Sequence, residues 1–326
     1  MSGSGAADAA GSAAHDLALR SWIERRSYSA NSYEVGALVE KKPATVSVIL
    51  PSHTVAPTLG RVLDALVPLH QVGLVDELVV VDADSEDGTA QIARERDVTV
   101  VQRNEIMPEL GPSKGKGDGL WRALSVTSGD IVVLMDTDTQ NFGAHFLVGL
   151  LGPLFEDPSL QLVKGAFHRP LSLGDLKVET EGGRVTELVA RPLINLFAPQ
   201  LAGFRQPLAG EVAARRQFLE AIPFPVGYGV DIAILIDALK AVGLDALAQV
   251  DLGTREDRNK PLRELSAMAY AVAYAVISRV ADDSLLERVD PGRLVLARPD
   301  GMEQRHVELE ERPPLASLRS ATGERT

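Results

Sequence analysis

Between residues 45 and 135, short β-branched runs alternate with segments in which apolar residues recur every three or four positions. Thr45–Leu50 is a run of the first kind, closed by Pro51. Thr58–Leu69 is one of the second, with Leu59, Val62, Leu63 and Leu66 on one helical face. Glu77–Val81 predicts a second strand, and the turn-forming stretch Asp82–Thr89 leads into a helix from Thr89 to Glu95. A strand at Thr99–Val101, a helix around Asp118–Val126 and a strand at Asp130–Met135 complete the series. Strands and helices alternating at this pitch predict an α/β fold, a parallel doubly wound sheet over about the first 165 residues. Ligands of such sheets bind beyond the carboxyl ends of the strands. The loops after Leu50, Val81 and Met135 are therefore expected to face one crevice.

From about Leu176 the pattern turns helical, with Thr186–Phe197, Ala213–Ala221, Asp231–Val242 and Pro261–Val280 predicted as helices and Ala246–Asp251 as a short strand. Four regions follow: a disordered lead-in at 1–20, an α/β half at 21–170, a helical half at 171–290 and a loosely packed polar tail at 291–326. The apolar run Ser266–Val280 falls short of the roughly 20 residues a bilayer span needs. The lead-in has neither the basic nor the apolar region of a secretory signal, so no membrane span and a cytoplasmic location are expected.

Composition narrows the chemistry. At 326 residues, 45% apolar and 24% charged, the chain is an ordinary globular one. It has no cysteine, so a disulfide framework, a thiolate metal site and a cysteine nucleophile are all excluded. The net charge of −12 carries no compensating basic stripe, which argues against a nucleic-acid partner.

Asp136-Thr137-Asp138 closes a predicted buried strand, and two carboxylates one residue apart there suit a hard cation, Mg²⁺ or Mn²⁺. A turn that caps the next helix would use the same residues. Asp82-Ala-Asp84 after a neighbouring strand offers an acceptor for a base or ribose, or an Asx turn. Residues 111–119 carry glycines, Lys114 and Lys116 just before a helix, a cradle for a diphosphate or a plain surface loop. The order of these residues is not that of a P-loop. Residues 181–187 (EGGRVTE) open a helix with two glycines, Arg184 and Thr186, a second candidate anion site. The charged loop 254–259 brings Arg255, Asp257 and Asn259 toward the same crevice, and Asp231 starts a further helix. His53, His145 and His168 lack the partner spacing of metal ligands.

Together, VILP at 48–51, VDADS at 81–85, GKGDGLWR at 115–122, SGDIVV at 128–133 with DTD, GGRVTELVARPL at 182–193, GYGVD at 227–231 and RNKPL at 258–262 resemble the glucosyl-3-phosphoglycerate synthases of actinobacteria. The resemblance covers about residues 20–320, and the GGRVTEL run is far more specific than any D-x-D. It implies a GT-A (Rossmann-like) nucleotide-sugar domain at 21–170 with a helical acceptor-side portion at 171–290, and a Mg²⁺-dependent, retaining, usually homodimeric glycosyltransferase. The implied donor is UDP-glucose and the acceptor the 2-hydroxyl of 3-phosphoglycerate; close relatives use GDP-mannose.

By position, the resemblance implies that Pro51, Ser52, His53, Asp82, Ala83, Gly115, Lys116, Asp136 and Thr137 bind the nucleotide-sugar. Asp138 and Asp257 are the implied metal ligands, Gly183, Arg184, Thr186 and Asn259 the acceptor clamp, and Asp231 and Arg255 the catalytic pair. The chain departs from the family in three places. His53-Thr54-Val55-Ala56 replaces the segment with an acid facing the nucleobase; Asp257 stands where the family has a metal-binding His; Asp231 replaces a Glu. These departures keep open a mannosyl variant and a weakly active or non-catalytic relative kept for its dimer or its acceptor site; a metal-dependent phosphohydrolase could use the same acids.

Overall fold

The computed structural model describes residues 4–173, 176–178, 182–257, 261–281, 292–298 and 301–322. Strands β1 (Ser27–Ser29), β2 (Val46–Ser52), β3 (Glu77–Asp82), β4 (Thr99–Gln102), β5 (Ile131–Leu134) and β6 (Leu162–His168) precede two short strands, β7 (Leu171–Leu173) and β8 (Leu176–Val178). Then come β9 (Val212–Arg215), β10 (Phe224–Pro225), β11 (Leu247–Thr254), β12 (Arg293–Arg298), β13 (Gly301–His306) and β14 (Glu311–Arg312). Eight of them form one sheet in the order β1-β11-β6-β9-β5-β2-β3-β4.

The pairing is parallel except at β9, which runs antiparallel to both β5 and β6. The expected all-parallel sheet is thus a mixed one. The residues of β9 also correct the helix expected over Ala213–Ala221, which begins only at Arg216. Val-Ala-Ala-Arg has weak strand propensity, and pairing on both edges overrides it. Strands β9 and β11 come from beyond residue 170, so both halves of the chain contribute to the same sheet.

Alternation along the strands explains the core. Val48 and Leu50 face one apolar layer with Leu59, Leu63, Phe146 and Leu147, while Ile49 faces the other with Trp121 and Leu235. A strand covered on both faces reads as a continuous apolar run, which is how β2, β3 and β5 stand out in the sequence. Helices Ala56–Gln71, Thr89–Arg94, Lys116–Ser125 and Val230–Val242 lie close to their expected spans. Helix His145–Glu156 and β6 had no counterpart in the sequence reading.

Both ends of the chain differ from expectation. Ser4–Arg26 is a helix, consistent with its alanine-rich sequence and the high helix propensity of alanine. Its Trp22 is buried against Phe204 at 4.7 Å. The tail is not loose: β14 pairs with β10, Trp121 Nε1 donates to Pro313 O at 2.8 Å, and Leu315 is buried. Arg312 reaches both carboxylate oxygens of Asp118, at 2.8 and 3.0 Å. Among the described residues no helix is long and apolar enough to cross a membrane.

Candidate active site

Beyond the carboxyl ends of β2, β3 and β5 opens a cavity of about 610 Å³. Pro51, Ser52 and His53 form part of its wall. The chain after β2 turns through Thr54, whose φ of 55° is unusual for a β-branched residue and marks a locally strained loop. That loop is tied to the one after β3: Thr54 N donates to Ser85 Oγ at 2.9 Å, Val55 N to Thr89 Oγ1 at 3.0 Å and Ala56 N to Asp87 Oδ2 at 3.0 Å. Ala83 lines the cavity, whereas Asp82 is fully buried beneath it. Asp82 Oδ2 accepts from Ser85 N, three residues on, and from Gln102 Nε2, while Oδ1 is buried with no hydrogen-bond partner among the described residues.

Gly115 and Lys116 stand at the N-terminus of helix Lys116–Ser125. The helix can lie this close to β10 only because residue 117 is glycine: a Cβ there would sit 1.9 Å from Pro225 O. Lys116 Nζ bridges Asp136 Oδ1 and Asp231 Oδ2, each at 2.9 Å. Burial alone would lower the Lys116 ammonium and raise the Asp136 carboxyl, but the opposed charges of Asp136 and Asp231, and of Lys116 and Arg255, reverse both shifts. Lys116 and Asp136 are therefore both ionised across the ordinary pH range. Asp231 faces the cavity, and burial raises its carboxyl despite Lys116. Thr137 is buried and structural in its contacts, donating to Pro51 O at 2.9 Å and accepting Thr58 Oγ1 on its carbonyl at 2.7 Å. Next to it, the Asp138 side chain is 57% exposed and open to the crevice.

Arg255 joins the acids into one network. Its Nη1 contacts Glu211 at 2.6 Å and Asp136 Oδ2 at 3.3 Å, its Nη2 Asp138 Oδ1 at 3.0 Å, and its Nε Asp257 Oδ1 at 2.7 Å. The guanidinium also lies over the Phe167 ring, 5.2 Å from its centroid. Glu211 is completely buried, and burial pushes its carboxyl up to about 7 against the pull of Arg255. Below the network, Lys164 of β6 donates to Ala209 O at 2.7 Å, and burial lowers its ammonium to about 8.

Gly183, Arg184 and Thr186 line the same cavity. Gly183 has φ +72°, a left-handed conformation that favours glycine, and Gly182 N donates to Arg169 O at 3.0 Å. Thr186 begins a π-helical turn, Thr186–Ala190, which continues into helix Arg191–Phe197 where one regular helix was expected. Asn259 lies outside the described residues. The remaining candidates meet in or directly below one cavity.

Glu211, Lys164, Arg169 and the tail residues His306–Glu308 belong to this site too, and the sequence reading missed them. Lys164 carried a usable signal, a lysine inside the apolar strand LVKGAF. Glu211 and the tail carried none, since only the pairing of β9 and of β14 brings them here.

The site admits a divalent cation at one point. Asp138 presents an exposed carboxylate, but Asp257 is 6% exposed and lies between two guanidinium groups. Among the described residues no three His, Cys, Asp or Glu side chains form a metal cage. A cation held by one carboxylate must complete its shell with water and the oxygens of an anionic ligand, the usual arrangement for Mg²⁺ at phosphates.

This combination of sheet, D-x-D and glycine-lysine loop defines a GT-A glycosyltransferase, and the Glycosyl transferase family 2 profile matches residues 47–167. Glucosyl-3-phosphoglycerate synthase of Mycolicibacterium paratuberculosis is 42% identical over 91% of this chain and 92% of its own length. The chain belongs to the glucosyl-3-phosphoglycerate synthase family and is a hexosyltransferase. The crystal structure of the Mycobacterium tuberculosis synthase in complex with Mn²⁺ and UDP-glucose superposes with a TM-score of 0.78 at 42% identity, covering 88% of this chain and 96% of that one. A mannosyl-3-phosphoglycerate synthase from Rubrobacter xylanophilus gives 0.83 at 44% identity, covering 92% and 99%.

Proposed function

We propose that the protein transfers glucose from UDP-glucose to the 2-hydroxyl of 3-phosphoglycerate with retention of configuration, giving glucosyl-3-phosphoglycerate. The observation that carries this reading is one cavity lined both by Lys116, Asp136 and Asp138 and by Gly183, Arg184 and Thr186. The first group suits a nucleoside diphosphate and the second a small, multiply charged anion. Relatives bound to Mn²⁺, UDP-glucose and phosphoglyceric acid support the same assignment. In this reading residues 21–170 chiefly hold the donor and 171–290 the acceptor. Asp136 lies beside the ribose, with Thr137 on the nucleotide-sugar side, and Asp231 and Arg255 border the reacting centre. Asn259 completes the acceptor clamp.

Asp138 holds the divalent cation, Mn²⁺ or Mg²⁺, which neutralises the charge that develops on the departing diphosphate. We assign the enzyme to the cytoplasm and to a homodimer; the exposed side chains of Leu188, Leu196 and Phe197 on one segment are the apolar surface a second copy would cover.

Transfer of mannose from GDP-mannose is the second reading. It is favoured by the similarity to the mannosyl enzyme and by His53-Thr54-Val55-Ala56 at the nucleobase loop. The deciding experiment incubates the protein with 3-phosphoglycerate, Mg²⁺ or Mn²⁺ and each of UDP-glucose, GDP-glucose, UDP-mannose and GDP-mannose, and follows release of the nucleoside diphosphate. Fastest turnover with UDP-glucose is expected. Turnover of GDP-mannose alone establishes the second reading, and no turnover with any donor leaves a non-catalytic acceptor-binding relative.

A further inference from the structure

The carboxylate of Asp257 lies between two guanidinium groups. Its Oδ1 accepts Arg255 Nε at 2.7 Å. Its Oδ2 meets Arg169 Nη2 at 2.6 Å as an ion pair, off the axis of a hydrogen bond. The two arginines follow the paired strands β6 and β11, where Arg255 N donates to His168 O at 2.9 Å, and their guanidinium groups reach different neighbours. Arg255 carries the D-x-D carboxylates, whereas Arg169 borders the acceptor clamp: its carbonyl accepts Gly182 N, and a Cβ built on Gly183 would lie 3.8 Å from its Cδ.

We propose that Asp257 is a positioning residue that staples Arg255 to Arg169, joining the donor wall to the acceptor clamp, and that it is not a ligand of the divalent cation. The inference deepens the proposed reaction and rests on it for the identity of the two ligands. A histidine here would be a neutral ligand with one free lone pair. An aspartate only 6% exposed is a buried anion and needs cationic partners. It has two, and a divalent ion brought to the same oxygens would meet both of their like charges at close range. Asp138, more than half exposed and among the described residues ion-paired only with Arg255, has a single such charge beside it. Arg169 is thereby held with its guanidinium against the wall that Gly183, Arg184 and Thr186 complete, where an acceptor carrying phosphate and carboxylate has to bind.

The test compares Asp257→Asn and Arg169→Gln with the wild-type protein in two binding measurements. Mn²⁺ affinity in the presence of UDP is read from the free-Mn²⁺ electron paramagnetic resonance signal, and 3-phosphoglycerate affinity from calorimetric titration. The staple predicts that both variants bind Mn²⁺ within about twofold of wild type, while both weaken 3-phosphoglycerate by about tenfold or more. A loss of Mn²⁺ affinity of tenfold or more in Asp257→Asn, with acceptor binding unchanged, overturns the proposal and makes Asp257 a metal ligand. Acceptor binding that falls in Asp257→Asn but not in Arg169→Gln also overturns it, as does wild-type protein that binds no 3-phosphoglycerate. Both arms measure binding, so absence of turnover in the donor panel would sink the proposed reaction and leave this test readable.

Discussion

Glu211 grips Arg255 with both carboxylate oxygens, at 2.6 and 2.7 Å, in a place where neither side chain is more than 4% exposed. Arg255 also serves Asp136, Asp138 and Asp257, so one guanidinium is shared among four acids. The surplus of negative charge and the burial together explain why protonation of Glu211 becomes easy.

The first prediction follows from the sign of that shift. With a folded value of about 7 against 4.5 for the free side chain, the folded state keeps a proton that the unfolded state has released. Stability should therefore fall as pH rises from about 4.5 to 7 and level off above it. Glu211→Gln, which cannot ionise, should remove a share of that fall on the order of 1 to 3 kcal/mol. Urea unfolding of both proteins at pH 5, 6, 7 and 8 checks it. Identical pH slopes would show that Glu211 is ionised throughout.

A second prediction concerns the open carboxylate. Asp138→Ala should reduce Mn²⁺-dependent donor affinity and turnover by about 10²–10³. The side chain is largely exposed and its loss leaves no cavity, so the thermal unfolding midpoint should stay close to that of wild type. Binding of 3-phosphoglycerate should also be unaffected. Donor affinity that no longer responds to Mn²⁺ in the variant is the signature to look for; an unchanged metal response would move the cation elsewhere.

The tail gives a third. Arg312 holds both oxygens of Asp118, and Asp118 Oδ2 in turn accepts the backbone amide of Lys114 at 2.9 Å, two residues before Lys116. Arg312→Ala should cost about 1.5–3 kcal/mol, the loss of hydrogen bonds to a charged group. It should also raise the Michaelis constant for the donor several-fold while leaving that for the acceptor unchanged. Parallel increases in both constants would mean that the tail acts on the fold as a whole.

Much of the donor side was legible because strand, turn and helix signals coincide with their tertiary roles. The run Val46–Leu50 is buried on both faces, and the acids at 136 and 138 stand in the loop just after β5. The candidate anion loop at 182–186 stood out through its two glycines, and Gly183 does take the left-handed conformation that favours glycine. What failed depends on long-range pairing. β9 is an alanine-rich strand that only its two neighbours define, and Glu211 enters the site at its edge. The tail reads as polar because many of its partners are charged, Asp118, Lys114 and Glu220, and only a few apolar residues such as Leu315 reach the core, so its composition gave no hint that it docks. Asp257 was expected to bind the cation; of its two guanidinium neighbours Arg255 stands two residues away in the sequence, while only the fold brings Arg169 beside it.

The last prediction uses Lys164, an amine with no exposed surface that lies between two strands of the main sheet and below the donor wall. Its contacts are carbonyl oxygens, Ala209 O at 2.7 Å and Asp231 O at 3.3 Å. Burial lowers its ammonium to about 8 from 10.5, outweighing the attraction of Asp231, and nearby Lys116 pushes the same way. Between these two values the unfolded chain binds a proton that the folded one has lost. Raising the pH from about 8 to 10.5 therefore favours the folded state, the opposite sign to Glu211. Lys164→Met keeps a flexible stem of similar length and does not titrate. The free-energy difference between wild type and variant should move in favour of wild type by on the order of 1 to 3 kcal/mol over that interval. Below pH 8 the difference should be flat. Unfolding curves of the two proteins at pH 7, 8, 9 and 10 measure it, and comparison with the variant cancels the titration of every other group. A difference that stays constant to pH 10 would mean that Lys164 keeps its proton, with Asp231 and Glu211 supplying more negative charge than the burial of the amine costs.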